Sequence, residues 1–175
     1  VIRRYLGIVF DIGHQSVGFE NITDSLTKLV EAGIPIFKLQ EAASLWVENL
    51  TQDKIESLRR FTDTIYLSQT SLKQNGKITK FLNLGEALDA YGANPVTTEM
   101  RTHFHVPVFL EELGPFRTTR FGVQEALKMH RATPLSDHLE IETYTWDVLP
   151  PELKTGDIID YVSRELEFVR SELIG

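Results

Sequence analysis

Short apolar runs alternate with amphipathic segments along this chain, and this alternation limits the possible folds more than any other feature. The apolar runs Tyr5–Phe10 and Ile36–Leu39 flank the segment Ile22–Ala32, whose apolar side chains recur at helical spacing. Gly33 follows that segment and can end the helix. A strand, a helix and a strand in succession predict a parallel sheet with helices packed on it.

The rest of the chain repeats this pattern with one interruption. Asn75-Gly76 lies between the apolar segments Ile65–Leu72 and Ile78–Leu82, and this dipeptide favours the tight turn of a β-hairpin. A short helical turn is expected at Glu86–Tyr91, followed by a loop over residues 92–95. The other predicted elements are helices at Asp53–Phe61, Phe121–Arg131 and Asp157–Leu173, and strands at Thr102–Phe109 and His138–Thr143.

Four strand–helix units and a hairpin insertion correspond to half of an eightfold (β/α)8 barrel, the TIM barrel. A small open α/β sheet is the alternative, and counting strands does not distinguish the two. The chain is long enough for one core and has no visible internal boundary, so we expect residues 1–175 to form a single domain. Since Val1 is not a native start, we expect an N-terminal half to precede this chain. A half barrel exposes its sheet edges, and the missing half or a second copy would cover them.

The composition narrows the classes of function. The net charge of -7 argues against nucleic-acid binding, which usually needs a basic face. Because the chain has no cysteine, a metal ion would need His, Asp or Glu ligands, which suit zinc, manganese or magnesium. No apolar run approaches the roughly 20 residues of a membrane helix. We therefore expect no membrane segment and a cytoplasmic protein.

Two predicted strands end in polar residues, where parallel α/β folds place their active sites. The first strand ends in Asp11-Ile12-Gly13-His14, which can aim a carboxylate and an imidazole at one divalent cation. Alternatively, Asp11 caps the following turn and His14 is a surface residue. At the end of the second strand, Lys38 and Gln40 share a face and could contact a substrate oxygen or a bound anion. Lys38 could equally be a solvent-exposed strand-end residue.

Two later strands carry paired polar residues on one face. His103 and His105 point to the same side of their strand because side chains alternate, and so do Glu140 and Glu142. The histidines could be satisfied buried residues. The carboxylates need a cation, an arginine or solvent, because burying a bare charge is costly. Asp, His and Glu at three strand ends together predict a divalent-metal site more specifically than any one of them.

These strand ends resemble a known superfamily. The Asp-x-x-His, His-x-His and Ile-Glu-Thr motifs are similar to strands five to eight of the xylose-isomerase-like barrels, which include sugar isomerases, epimerases and the endonuclease IV class of abasic-site nucleases. The stretches THFHVPVFLEELG and HLEIETYTWDVLPPEL, with IFKLQEAASL and YLSQTSLKQNGKI, resemble the EboE group more closely. That group comprises metabolite traffic proteins from bacterial gene clusters linked to moving a small-molecule precursor out of the cytoplasm.

The resemblance implies roles for individual residues. The implied metal ligands are Asp11, His14, His105 and Glu142. The implied catalytic residues are Glu142, which would move protons, and His14. Substrate contacts are expected from Lys38, Gln40 and His103. Lys38 stands where both branches commonly have a metal-binding His, and this departure favours a single metal ion, zinc or manganese, with magnesium as an alternative.

Three functions are compatible with these observations. The chain could belong to an enzyme in which one metal ion polarises a small metabolite, as in sugar isomerases and epimerases. It could be a binding or traffic module that has kept the metal and lost the chemistry, which Lys38 favours. It could also be an abasic-site nuclease, which the acidic charge and the incomplete ligand set make the weakest of the three.

Overall fold

The computed structural model describes residues 2–62, 67–142 and 156–175, which form helices and two separate β-sheets. The helices are α1 (Ile2–Tyr5), α2 (Ile12–Val17), α3 (Ile22–Glu31), α4 (Gln52–Leu58, continued by a 3-10 turn at Arg59–Phe61), α5 (Leu84–Ala93), α6 (Arg120–Ala132) and α7 (Ile158–Ile174). The strands are β1 (Ile8–Asp11), β2 (Ile36–Glu41), β3 (Ala43–Val47), β4 (Thr70–Gln74), β5 (Lys77–Phe81), β6 (Glu99–Val106), β7 (Glu112–Leu113), β8 (Phe116–Thr118) and β9 (Leu139–Ile141).

The smaller sheet is parallel and has the order β1-β2-β9. Helix α3 connects β1 to β2, so the predicted strand–helix–strand unit is confirmed. The helix starts where the Asn21 side chain accepts a hydrogen bond from the backbone N–H of Asp24 at 2.8 Å, and it stops before Gly33, which has a φ of 62°. Register pairs Asp11 with Gln40, so these two side chains leave the sheet side by side.

The larger sheet is antiparallel and has the order β5-β4-β6-β3-β8-β7. Its β4–β5 pair is the predicted hairpin. Asn75 and Gly76 form the turn with φ values of 49° and 79°, and this pair of positive angles is typical of the two-residue turns that Asn-Gly favours.

The prediction that Thr102–Phe109 is a strand of the parallel sheet is wrong. The strand in that region, β6, lies in the larger sheet between β3 and β4 and is antiparallel to both. Only Ala42 separates β2 from β3, so the chain leaves the parallel sheet immediately and starts the other one. Residues 102–106 are all buried. Strands of a parallel sheet are also buried on both faces, so the sequence pattern did not separate the two kinds of strand. The described residues therefore give three parallel strands and no closed barrel.

Other differences from the predictions concern the ends of elements. The first strand begins at Ile8 because α1 occupies the preceding residues, and α5 extends through Ala93, where a loop was expected. The terminal helix is confirmed, and Asp157, directly before it, accepts a hydrogen bond from the backbone N–H of Asp160 at 2.9 Å. Ile65 and Thr143, which belong to predicted strands, lie outside the described ranges.

One continuous apolar core lies between the sheets and the helices that cover them. Its fully buried members come from both sheets and from the helices packed on them, and include Leu39, Leu45, Met100 and Leu127. The opposite face of the parallel sheet is polar and partly open, since Lys38 and Glu140 are joined there by an ion pair of 2.7 Å with side-chain exposures of 27% and 54%. This open polar face leads to the ends of β1, β2 and β9, where the candidate site lies.

Candidate functional site

The Asp11 carboxylate has two roles, one on each oxygen. Its Oδ1 accepts a hydrogen bond from the backbone N–H of His14 at 3.0 Å and so caps α2. Its Oδ2 accepts one from the Gln40 side chain at 2.8 Å and lies 3.9 Å from the His14 Nε2. The expected cap of the following turn is therefore confirmed, and the second oxygen faces the imidazole of His14, whose side chain is 49% exposed.

Gly13 lets α2 start this close to the sheets. A Cβ at this position would lie 3.1 Å from the Ala42 Cβ and 3.3 Å from the Ser44 Oγ, which is tighter than side chains normally pack. A larger residue would push α2 outward and carry His14 away from Asp11. The glycine spacer in the motif therefore has a packing cause.

His103 and His105 project from the same side of β6, as side-chain alternation predicts. Their rings meet edge to face with centroids 4.6 Å apart, and their Nε2 atoms are 3.1 Å apart. Phe104 points the other way and packs edge-on against Phe61 at 4.8 Å. One of the two facing Nε2 atoms must carry a proton and the other accept it, so the pair is satisfied as two neutral imidazoles.

The His14 ring stacks on the His103 ring at 3.7 Å between centroids, with 6° between the planes. Asp11, His14 and His103 each place one potential ligand atom so that all three atoms lie within 4.8 Å of one another. Ligand atoms sharing one ion at about 2.0–2.2 Å lie roughly 3–4 Å apart. The two stacked rings lie in nearly parallel planes, so their in-plane lone pairs do not meet at one point, and one ring would have to turn as the three atoms draw together on an ion. These three residues could hold a metal ion.

His105 and Glu142 lie directly beside this group. The Glu142 Oε2 is 3.4 Å from the His105 Nε2, and the Glu142 carbonyl is within hydrogen-bonding distance of the His105 Nδ1 at 3.1 Å. The Gln40 side-chain amide donates to both Asp11 and Glu142 and thereby links the two carboxylates. Sequence analysis assigned His105 and Glu142 to the metal and His103 to the substrate, whereas in the structure His103 groups with Asp11 and His14.

Burial keeps the two strand histidines neutral. It lowers the pKa of His103 to about 2, and the nearby His105 and His14 rings add to this effect. Burial also lowers the pKa of His105, although the carbonyl and carboxylate of Glu142 and the charge of Asp11 oppose the shift. Neutral imidazole is the form that binds metal ions.

Lys38 and Glu140 share the face of Gln40 but form a pair of their own. The Lys38 Nζ donates to the Glu140 Oε1 at 2.7 Å, so a lysine compensates that carboxylate. No arginine has this role in the described ranges: Arg101 pairs with Glu99, and Arg120 donates to a backbone carbonyl. Lys38 therefore adds little net positive charge to the site.

Gln69 is a site residue that sequence analysis missed. Its side-chain oxygen lies 2.7 Å from the His14 Nδ1, and its backbone carbonyl accepts a hydrogen bond from the backbone N–H of His103, also at 2.7 Å. No local pattern marks it, because it precedes β4 and lies 55 positions from His14 in sequence.

Arg101 was also missed, and it fastens α2 to β6. Its guanidinium donates to the Ser16 carbonyl at 2.9 Å and to Glu99 at 3.2 Å. The same group lies 4.2 Å from the centroid of the Phe19 ring and also faces Trp46. Arg101 thus ties the helix that carries His14 to the strand that carries His103. The only sequence signal of this role is its position two residues before His103, which puts both side chains on the same face of the strand.

Glu41 is a third unexpected residue. It follows Gln40 on β2 but is fully buried, and neither carboxylate oxygen has a hydrogen-bond partner among the residues that the structure describes. Burial raises the pKa of Glu41 to about 8. At neutral pH this carboxyl is therefore mostly protonated, unlike a solvent-exposed one.

Comparison with known proteins finds no match to any family model, curated protein or solved structure. In the part of the chain that the structure describes, no helix combines the length and apolar character needed to cross a membrane.

Proposed function

We propose that this chain binds a divalent metal ion through Asp11, His14 and His103 and holds a small polar metabolite beside it. The observation that carries the proposal is the convergence of one oxygen and two imidazole ligand atoms within 4.8 Å. Gln40 and Glu142, which adjoin this group, offer an amide and a carboxylate to a ligand rich in hydroxyl or carbonyl oxygens.

Zinc or manganese suits this donor set best. Two imidazoles and one carboxylate are borderline ligands that zinc and manganese accept, whereas magnesium prefers oxygen ligands and retains its water. Three protein ligands leave coordination positions for solvent or substrate, as in catalytic rather than structural sites. Burial favours metal binding near neutral pH, because the His103 ring is already neutral and does not have to release a proton before it binds the ion.

An isomerase or epimerase reaction is the chemistry we propose for the site. A bound metal ion would supply polarisation of a substrate carbonyl or hydroxyl. Glu142, whose side chain is 29% exposed, can receive a proton from a ligand while Gln40 orients its carboxylate. The His14 side chain is 49% exposed and can contact the same ligand.

We further propose that the chain is an EboE-like protein of metabolite processing or traffic. Under this proposal the parallel sheet β1-β2-β9 is part of the C-terminal half of a xylose-isomerase-like (β/α)8 barrel, and β3–β8 form an insertion between two barrel strands. Parallel order and polar strand ends support this interpretation. An upstream half or a second copy would cover the open polar face.

Metal titration tests the proposal. Purified, chelator-treated protein is titrated with Zn²⁺, Mn²⁺ and Co²⁺ by calorimetry, and His103→Ala and Asp11→Ala should each weaken binding at least about 100-fold because each removes a ligand. His138→Ala is the matched control, since His138 is exposed and lies outside the cluster. Wild-type protein that binds no metal ion, or binds it as tightly after both ligand substitutions, would contradict the proposal.

A binding module without catalysis is the second candidate. The Lys38–Glu140 ion pair favours it, because a lysine already neutralised by a neighbour offers little charge to a reacting group. Turnover separates the two: an enzyme should convert a sugar substrate and lose that conversion in Glu142→Gln, whereas a carrier should bind the metabolite without converting it. A nuclease would cleave abasic duplex DNA with zinc or manganese supplied, and we expect no cleavage.

A further inference from the structure

Two of the three proposed ligands contact a single residue, Gln69. Its side-chain oxygen lies 2.7 Å from the His14 Nδ1, and its backbone carbonyl accepts the hydrogen bond of the His103 backbone N–H at 2.7 Å. Gln69 lies just before β4, whose first residue pairs with Thr102 on β6. The β4–β6 ladder therefore fixes its main chain, and its side chain alone reaches His14.

The His14 ring has two nitrogens in different surroundings. The Nδ1 lies at hydrogen-bonding distance from the Gln69 amide oxygen, whereas the Nε2 lies 3.9 Å from the Asp11 Oδ2. A separation of 3.9 Å is too long for a hydrogen bond. It does suit two ligands of one ion, which lie roughly 3–4 Å apart.

We infer that Gln69 is a positioning residue that holds the proton of His14 on Nδ1 and so turns the Nε2 lone pair toward Asp11. The inference rests on the proposed metal site. A neutral imidazole has one N–H and one lone pair, and an acceptor at Nδ1 places the proton there. The stack on His103, with 6° between the rings, fixes the plane in which that lone pair points.

This role matters because free histidine side chains favour the proton on Nε2, the nitrogen that would bind the ion. Without an acceptor at Nδ1, the ring would have to change tautomer before it could act as a ligand. Partners that fix the tautomer of a ligating histidine commonly change metal affinity by about 10-fold to 100-fold. Gln69 would thus prepare His14 before any ion arrives.

The test compares Gln69→Leu with Gln69→Glu. Leucine has no acceptor, so the His14 proton should move to Nε2 and Co²⁺ affinity should fall about 10-fold to 100-fold. Glutamate can only accept, so it should keep the proton on Nδ1 and hold affinity at the wild-type level or above. Gln74→Leu places the same substitution at the far end of β4, where the side chain bonds Thr98, and should change neither quantity.

Two measurements keep this inference separate from the proposed function. Long-range ¹H–¹⁵N spectra of chelator-treated protein report the tautomer, and calorimetry with Co²⁺ reports affinity. A wild-type His14 proton on Nε2, or an unchanged tautomer or affinity in Gln69→Leu, would overturn the inference. If the tautomer responds as expected but no ion binds to wild type, Gln69 still positions His14 and the metal proposal fails. A loss of Co²⁺ affinity in Gln69→Glu as well would show that the Gln69 amide donates a hydrogen bond to His14, and this result would also overturn the inference.

Discussion

The two sheets contribute opposite chemistry to one site. The parallel sheet supplies acidic and amide groups at its strand ends, Asp11 and Gln40, with Glu142 following β9, and these groups remain partly solvated. The antiparallel sheet supplies His103 and His105, which are 5% and 3% exposed. The carboxylate groups therefore stay in contact with water, whereas burial keeps the imidazoles neutral. The difference teaches that a site at the junction of two sheets can combine carboxylate groups that contact water with imidazole groups that are buried and neutral.

Each sheet also contains buried titratable groups, and Glu41 and His103 respond to pH in opposite directions. Glu41 of the parallel sheet favours the protonated carboxylic acid, and His103 of the antiparallel sheet favours the neutral ring. Substitutions that remove one group at a time, measured in metal-free protein, test whether the sheets differ in this way.

The largest effect is expected for Glu41→Gln. Burial raises the Glu41 pKa from 4.5 to about 8, so the folded protein binds more protons than the unfolded chain between these values. Wild-type stability should therefore fall as pH rises, by roughly 3 kcal/mol from pH 5 to pH 8 through this group alone. The Gln variant should lack this loss. Urea unfolding at both pH values measures it, and equal pH slopes for wild type and variant would contradict the prediction.

A smaller effect of opposite sign is expected for His103→Asn. The folded ring stays neutral because its pKa is lowered to about 2, whereas the unfolded ring binds a proton below its ordinary value of 6.5. Wild-type stability should therefore fall on acidification, by about 2 kcal/mol from pH 7 to pH 5 through His103. The stability of the variant should fall by about 2 kcal/mol less than that of wild type over the same pH range. The exposed His138 gives the control: His138→Asn should retain the full wild-type slope.

Cross-strand pairs give a third comparison. In the antiparallel sheet, Thr102 and Thr70 are fully buried and their hydroxyls are 2.7 Å apart. Thr102→Val leaves one buried hydroxyl with a bond fewer, so we expect a loss of about 1 kcal/mol in the free energy of unfolding. Thr79→Val, on the exposed hairpin strand, should change it by much less. Equal losses would show that burial does not set the strength of the Thr102 interaction.

The smallest effect is expected for Glu140→Gln in the parallel sheet. The Lys38–Glu140 pair is short, but both side chains are partly exposed. Solvent screening limits such pairs, so the loss should be about 0.5 kcal/mol or less and should vanish in high salt. A loss larger than that of Thr102→Val would reverse the proposed difference between the sheets. Thermal unfolding with and without 1 M salt decides it.

The positions of residues on their strands were easier to predict from the sequence than the sheet that carries each strand. Alternation correctly placed His103 and His105 on one side of their strand, and the apolar run before Asp11 correctly placed that residue at a strand end. Alternation gives the face of a strand but not its direction or neighbours, so it could not assign β6 to the antiparallel sheet.

Residues that act at a distance were also beyond the sequence. Gln69 contacts His14 across 55 positions, and Arg101 reaches a carbonyl on α2, 85 positions away. Local patterns contain no information about such contacts. In the sequence, Glu41 resembles an ordinary polar residue at a strand end. Only the packing around β2 reveals that its carboxyl group has no hydrogen-bond partner within the described part of the chain.

The candidate ligands are spread widely along the chain. Asp11 and His103 are about 90 residues apart, and closing so large a loop is slow and entropically costly. The cluster needs both sheets in place, because Asp11 lies on the parallel sheet and His103 on the antiparallel one. A metal ion that binds the cluster would bind the native state and not the unfolded chain, and would slow unfolding as a removable cross-link would. Metal affinity would then also show whether the two sheets of a variant have come together in the native arrangement.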